Sequence, residues 1–284
     1  MKVTIIGDAT RAVAWEKHLR PHKIVQEVIL IPSVEDLGSG DAVILIDDGP
    51  ENLDKLLKLI QKGYNSFLVS DIPTDAAKLE KIHRASREAG VQVQVSHWPS
   101  LASASQWMMD EMNRPSLISI TREVNYNQLT DPETEFRHHW MDELGFCLKW
   151  INGGIHHIEA REVRLAPGHP VILHLFLRFD NGSSSDIRIY SGASENLHQR
   201  IASNRKEFME CQVASQNIRI GRLNDSGLLY FERQNFDPAK SAEKAALMFL
   251  KAVQMGKEPP YTAFDAWQLA LQIQKVRQRL ENFG

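Results

Sequence analysis

Short apolar runs alternate with amphipathic stretches over residues 1–113. The runs have the length and the Val, Ile and Leu content of buried strands, and the stretches between them carry apolar residues at helical spacing, as at Leu53, Leu56 and Ile60. Strands that alternate with helices of this length predict a parallel sheet with right-handed crossovers. The predicted strands are residues 3–6, 23–31, 41–46, 66–69 and 91–95, and the last predicted helix is residues 100–112.

The pattern changes after Asn113. A strand is predicted at residues 117–126 and a long helix at 134–152, and residues 155–232 are mostly strand-like and broken by turns, such as those at Pro167-Gly168 and Asn181-Gly182. Two helices, residues 238–255 and 263–282, close the chain. We therefore predict two domains. Residues 1–113 form a Rossmann-like parallel-sheet domain, and residues 114–284 form an α+β domain with an open, mainly antiparallel sheet, whose last helix packs back toward the first domain.

Composition narrows the class of protein. The 284 residues carry a net charge of −3 without a block of like charges, which argues against nucleic-acid binding. Cys147 and Cys211 are too far apart to suggest a metal site or a disulfide framework. No run approaches the roughly 20 apolar residues of a membrane helix, and no signal peptide is evident. A soluble cytoplasmic protein is the expectation.

The first predicted strand runs directly into an incomplete phosphate-binding turn. Residues 7–12 stand where a dinucleotide-binding fold carries G-x-G-x-x-G, but only Gly7 is present. Ala9 replaces the second glycine and adds a methyl group where the pyrophosphate would lie, whereas Ala12 at the third position costs little. The candidate cofactor-binding residues are Gly7, Ala9, Thr10, Arg11, Ala12 and Asp47. Asp47 ends the strand at 41–46, where a turn and a helix N-cap are the simpler interpretation.

The order of these segments resembles the glucose–fructose oxidoreductase/inositol dehydrogenase (Gfo/Idh/MocA) family over almost the whole chain. The segments that carry the resemblance are residues 41–46, 53–63, 67–69, 85–91, 176–182 and 262–270. The resemblance implies an NAD(P)-dependent oxidoreductase fold, a small-molecule ligand between the two domains, and a homodimer formed through the sheet of the second domain.

The catalytic signatures of that family are mostly replaced here. Its Glu-Lys-Pro corresponds to Asp71-Ile72-Pro73, so an isoleucine stands where the lysine would be. Its G-x-H-x-x-D corresponds by position to residues 145–150, so Cys147 falls on the histidine. A second match, residues 154–159, would make His156 the base and Glu159 the carboxylate, although Ile155 and Ile158 continue like a strand.

Two further features bear on the site. His97 follows the strand at 91–95, where it could line a cleft or act as a cap. No acidic residue ends the strand at 23–31, where the family binds the adenosine ribose. If chemistry survives, we expect Asp71, His97 and Cys147 to carry it.

These replacements leave three hypotheses. The first is a catalytically degenerate family member that binds NAD or NADP weakly or not at all and acts as a binding or regulatory subunit. The second is a divergent NAD(P)-dependent oxidoreductase acting on a small molecule, and the third is an unrelated two-domain enzyme.

Overall fold

A computed structural model describes residues 1–166 and 168–283 of the chain. They divide into two compact units. The first unit comprises Met1–Leu101 and Ala239–Leu271, and the second comprises Ala102–Pro238 and residues from Gln272 onward.

The first unit is built on a parallel sheet of five strands in the order β2-β1-β3-β4-β5. The strands are β1 (Lys2–Ile6), β2 (Glu27–Ile31), β3 (Ala42–Ile46), β4 (Asn65–Val69) and β5 (Val93–Val95). All five residues of the central strand β3 are buried. Helices cover both faces of such a sheet, which is why its strands are continuous apolar runs.

Helices surround this sheet. They are α1 (Ala9–Leu19), α2 (Asn52–Gln61), α3 (Ala76–Ala89), α4 (Trp98–Leu101), α7 (Ser241–Met255) and the first part of α8 (Ala263–Phe283). The apolar stripe of α2 is buried, as its spacing predicts. The connection from β2 to β3 holds only the short 3-10 helix Val34–Asp36, which is stabilised by the N-cap Ser33.

The second unit contains an eight-stranded sheet in the order β13-β12-β11-β10-β6-β9-β8-β7. Its strands are β6 (Leu117–Asn125), β7 (Ile155–Ala166), β8 (His169–Phe179), β9 (Ser184–Tyr190), β10 (Gly192–Ser203), β11 (Glu207–Gln212), β12 (Asn217–Leu223) and β13 (Leu229–Asn235). Neighbouring strands are antiparallel except β6 and β9. Two further helices of this unit are α5 (Ser103–Glu111) and α6 (Pro132–Ile151).

The register of the sheet shows which face is covered. Leu175 pairs with Ile187 on the buried face beneath α6, whereas the neighbouring pair His174 and Arg188 is exposed on the other face. Since side chains alternate along a strand, one face of this sheet packs on α6 and the opposite face is open.

The predicted fold class is confirmed, with local differences. The strand predicted at 23–31 comprises only Glu27–Ile31. The helix predicted at 100–112 is two helices, α4 and α5, because Ala102 takes an extended conformation between them with φ −57° and ψ 141°. The Asn181-Gly182 turn joins β8 to β9, and Gly182 has a φ of +83° there. The turn predicted at Pro167-Gly168 includes Pro167, which lies outside the described residues.

Candidate functional site

The carboxyl ends of the parallel strands in the first unit bring the predicted residues to one edge. Gly7 follows β1, Asp47 follows β3, Asp71 lies two residues after β4, and His97 lies two residues after β5. Ligands of open α/β sheets bind outside this edge. The edge is therefore the candidate nucleotide site of the first unit.

Gly7 is required by packing. A Cβ atom at this position would lie 3.0 Å from the backbone oxygen of Ile46 and 3.1 Å from the Ile46 Cβ. Backbone atoms of a central strand cannot move aside cheaply, so the absence of a side chain lets the end of β1 approach the end of β3. The close approach of β1 and β3 thus explains the glycine at this position without a bound phosphate group.

The amino terminus of α1 is already capped by a carboxylate. Asp8 Oδ1 accepts hydrogen bonds from the backbone N–H groups of Thr10 at 2.9 Å and Arg11 at 3.0 Å. Free N–H groups at a helix amino terminus are what binds phosphate in dinucleotide folds. In this chain the carboxylate of Asp8 occupies two of them. Ala9 is exposed at this turn, and Ala12 is buried against the core.

The rest of the edge is acidic. Arg11 Nη1 lies 2.5 Å from Asp48 Oδ2, and Asp48 Oδ1 accepts the backbone N–H of Asp71 at 3.1 Å. Asp47 Oδ2 lies 2.6 Å from Lys55 Nζ. Burial alone would raise the pKa of Asp47, but hydrogen bonds from Lys55 and the Gly49 amide outweigh it and hold that pKa below its ordinary value.

Both cations at the edge are therefore paired with carboxylates. Asp8 and Asp71 add two further exposed acidic residues there. Such an edge is electrostatically unfavourable for a pyrophosphate.

His97 is a buried residue with only 2% exposure. Its Nδ1 lies 2.8 Å from Ser100 Oγ, and its ring stacks on Tyr261 with centroids 4.6 Å apart. His97 lies directly before α4, and its backbone oxygen accepts hydrogen bonds from the N–H groups of Ser100 and Leu101 in that helix. Asp71 is exposed, and the half-buried Ile72 provides an apolar group where the family resemblance would place a lysine.

Cys147 lies in the second unit, on the side of α6 that packs into the core. It is fully buried, and this burial raises the pKa of its thiol to about 12. A thiol that stays protonated is a poor nucleophile. Trp150, on the same side of the helix, donates a hydrogen bond from Nε1 to the backbone oxygen of Met112 at 2.7 Å. Cys147 and Trp150 are thus both part of the core of the second unit.

The alternative residues His156 and Glu159 lie on β7, the edge strand of the second sheet, and both are exposed. His156 Nδ1 lies 3.6 Å from Asp180 Oδ1, and Glu159 Oε1 lies 3.2 Å from His157 Nε2. The structure does not pair these two side chains with each other.

Sequence reasoning missed a buried charge cluster in the second unit. Glu143 on α6 is completely buried, and Arg200 on β10 is 1% exposed. Arg200 donates from Nε to Glu143 Oε2 at 2.8 Å and from Nη2 to Oε1 at 3.0 Å, and His198 Nε2 lies 2.8 Å from the same Oε1. The Arg200 guanidinium also lies 4.0 Å from the ring centroid of Phe146. Burial would raise the pKa of Glu143, but Arg200 and His198 hold it well below the ordinary value.

The partly exposed side of this cluster carries further titratable groups. Arg122 on β6 lies directly across from His198, and its Nη1 is 3.4 Å from Asp142 Oδ2 and 3.8 Å from Glu143 Oε1. Burial raises the pKa of Asp142 to about 7 and lowers that of His139 to about 3. A carboxyl group that titrates near neutral pH beside an arginine can take up or release a proton.

One sequence signal could have revealed the cluster. His139, Asp142 and Glu143 recur at helical spacing on α6, and His198 and Arg200 lie two residues apart on one strand, between Leu197 and Ile201. Charged residues at positions that the pattern assigns to the core are rare unless they are paired.

The described residues show neither a metal site nor a membrane span. No group of three or more His, Cys, Asp or Glu side chains in this part of the chain could hold a metal ion. None of its helices combines the length and apolarity needed to span a bilayer.

Comparison with known proteins places the fold. No protein-family model matches the sequence, and no curated protein matches it. Solved structures do match over nearly the full chain. UDP-N-acetylglucosamine 3-dehydrogenase GnnA from Acidithiobacillus ferrooxidans is 12% identical, with a TM-score of 0.82 over 100% of this chain and 98% of that one.

Two other structures match at similar length. An NAD-binding oxidoreductase from Klebsiella pneumoniae is 10% identical, with a TM-score of 0.81 over 99% of this chain and 96% of that one. Levoglucosan dehydrogenase, solved with NADH and L-sorbose, is 10% identical, with a TM-score of 0.77 over 99% of this chain and 97% of that one. The chain therefore has the fold of the Gfo/Idh/MocA-type oxidoreductases, as the order of its sequence segments predicted.

Proposed function

We propose that this chain has lost the NAD(P)-dependent dehydrogenase chemistry of its fold and acts as a binding or regulatory subunit. The observation that carries the proposal is the amino terminus of α1. There the carboxylate of Asp8 accepts the two N–H groups that a pyrophosphate would need. A bound phosphate would have to displace this cap and lie beside a negative charge.

Two further losses support the same conclusion. No acidic residue stands directly after β2 to bind a ribose, since Pro32 and the capping Ser33 are there and the nearest carboxylates, Glu35 and Asp36, belong to the 3-10 helix. One lost hydrogen bond to a charged group weakens binding by about 1.5–3 kcal/mol, which is roughly ten- to a hundredfold. Ile72 provides no proton and no charge where the family resemblance places a lysine.

The test is whether the protein binds the cofactors, as measured by the shift in melting temperature and by calorimetry. A ligand that binds only the native state must raise the melting temperature. We expect neither NADH nor NADPH to do so for the wild-type protein at submillimolar concentration. Submicromolar binding of either cofactor would overturn the proposal.

A repair variant tests the reason for the loss. Asp8→Gly with Ala9→Gly removes the carboxylate and restores the second glycine, and we expect it to bind NADH more tightly than the wild type. The matched control is Asp75→Gly, which removes the N-cap carboxylate that accepts the Lys78 amide of α3 at 3.0 Å. An equal gain in the control would show that Asp8 does not specifically block the phosphate position.

The buried cluster of the second unit favours a second candidate, a divergent oxidoreductase that uses groups other than the family's lysine and histidine. Asp142, whose pKa is raised by burial to about 7, is the group suited to proton transfer. Turnover of NAD(P) with a panel of sugars and polyols that is lost in Asp142→Asn would establish this candidate. The control is Asp186→Asn, on the open face of the sheet. Absence of turnover in the wild-type protein would instead favour the first proposal, a binding or regulatory subunit without dehydrogenase chemistry.

A further inference from the structure

The second unit contains a cavity of about 600 Å³ that no part of the proposed function uses. It lies between the amino-terminal half of α6, strand β7 and the last turns of α8. Phe136 and Trp140, which are 1% and 3% exposed, form its floor, and the half-buried Leu280 adds an apolar wall. A volume of this size is typical of small-molecule sites.

One of the three arginines that line the cavity is fully neutralised. Arg164 donates from Nη1 and Nη2 to the two carboxylate oxygens of Glu133 at 2.7 and 3.1 Å. It also donates from Nε to Glu162 Oε2 at 3.1 Å. These three side chains form a closed ionic network along one wall, and both carboxylates are used within it.

The other two arginines face the cavity from different helices without a carboxylate partner. Arg137 on α6 donates to Thr134 Oγ1 at 3.2 Å, which is a neutral acceptor. Arg277 on α8 makes no hydrogen bond or ion pair with any side chain that the structure describes. Partial burial, and then the charge of Arg137, lower the pKa of Arg277, and Glu281 on the same helix, which also lines the cavity, acts more weakly in the opposite direction. Two guanidinium groups in this relation repel each other, and an anion between them would relieve the repulsion.

We propose that this cavity binds a small aromatic monocarboxylate. The carboxylate would bridge Arg137 and Arg277, because guanidinium groups bind carboxylates through paired hydrogen bonds. The flat apolar body would lie against Phe136, Trp140 and Leu280. Three glutamates balance the three arginines in the lining, so the site has no excess charge for a polyphosphate. This inference concerns the second unit and does not depend on the nucleotide edge of the first.

Calorimetry with 2-naphthoate as the probe tests the proposal. We expect the wild-type protein to bind 2-naphthoate, and Arg137→Gln and Arg277→Gln each to weaken binding at least about tenfold, as the loss of one charge-assisted hydrogen-bonding partner predicts. The matched control is Arg279→Gln, an exposed arginine of the same helix outside the cavity lining, which should bind as the wild type does.

The uncharged 2-naphthamide separates charge recognition from apolar binding. We expect it to bind at least about tenfold more weakly than 2-naphthoate. Equal binding of the two probes, equal binding by the variants and the wild type, or no binding of 2-naphthoate at millimolar concentration would each overturn the proposal. Arg277→Lys keeps the charge and should retain part of the affinity, which covers the case in which Arg277→Gln is too unstable to test.

Discussion

The most consequential residue pair is Glu143 with Arg200. Removing two charges from water is costly, and the cost is offset here by a two-point hydrogen-bonded contact and by additional partners at His198 and Ser105. A buried pair of this kind need not stabilise the fold relative to an apolar pair. Removing one partner, however, leaves the other charge buried and uncompensated.

We therefore expect Glu143→Ala to lower the free energy of unfolding by about 3–5 kcal/mol. Urea denaturation followed by circular dichroism measures the change. The control is Glu80→Ala on α3, which removes an exposed pair with Arg84 and should cost less than about 0.5 kcal/mol. Similar losses of unfolding free energy in the two variants would show that breaking the buried Glu143 pair costs no more than breaking an exposed pair.

The second residue-scale prediction concerns Asp142 and pH. Burial raises its pKa to about 7 in the folded protein, while Arg122 and Arg200 act in the opposite direction and Glu143 adds to the rise. An unfolded aspartate has a pKa of about 3.9. The folded state therefore favours the protonated form of Asp142. The stability that this group contributes is fully present below its pKa in the unfolded chain and is lost as the pH rises through its pKa in the folded protein.

Asp142→Asn removes this dependence. The stability of the variant relative to the wild type should increase as the pH rises from 5 to 7 and then become constant, because only the wild type must ionise a partly buried carboxyl group. Urea denaturation at pH values across this range measures the difference, and Asp225→Asn in an exposed turn controls for an added amide. A difference that does not change with pH would show that Asp142 ionises at an ordinary pH in the fold.

At the scale of elements, the sequence predicts best where burial alone decides. The strand predicted at 41–46 is observed as Ala42–Ile46, because a central parallel strand is apolar on both faces and no other element fits so short a run. The sequence predicts the ends of elements less well where the chain changes direction without a Gly, Pro, Asn or Asp, as at Ala102 between α4 and α5.

The candidate site shows a different limit. Gly7 and Asp47 could be assigned to the carboxyl edge, since the connectivity of a parallel sheet fixes where strand ends meet. Glu143 is not assigned to any site from the sequence, because a charged residue on a helix normally indicates a solvent-exposed face, and its helical spacing with His139 and Asp142 does not identify a partner. Only the three-dimensional contact with Arg200, 57 residues away, explains its burial.

Gly7 provides the prediction at this scale. In Gly7→Ala the new Cβ would lie 3.0 Å from the backbone oxygen of Ile46 and 3.1 Å from its Cβ, so the ends of β1 and β3 must move slightly apart. We expect a loss of about 1–3 kcal/mol in the free energy of unfolding. Gly38→Ala is the control, because nothing lies within 4 Å of a Cβ at that position. Equal stability of the two variants by urea denaturation would refute the packing role of Gly7.

At the scale of the whole molecule, the open face of the eight-stranded sheet is the unexplained surface. It carries a polar network in which Asp186 binds His174 at 2.6 Å and Arg188 at 2.7 Å. Beside it, Ile172 and Tyr190 are cross-strand neighbours, and each is 43% exposed. Exposed apolar side chains next to polar groups are typical of a protein interface. We propose that a second copy of the chain covers this face.

This proposal predicts a homodimer. Light scattering at micromolar concentration should give twice the chain mass of 32.3 kDa. Ile172→Glu should shift the protein to the monomer, because an isologous interface over this face would bury two uncompensated carboxylates. Met255→Glu, at an apolar residue on α7 of the first unit that is 57% exposed, should remain dimeric. A wild-type mass near that of one chain would exclude the dimer at this concentration. A dimer that persists in Ile172→Glu would place its interface elsewhere, and the open face would again lack an explanation.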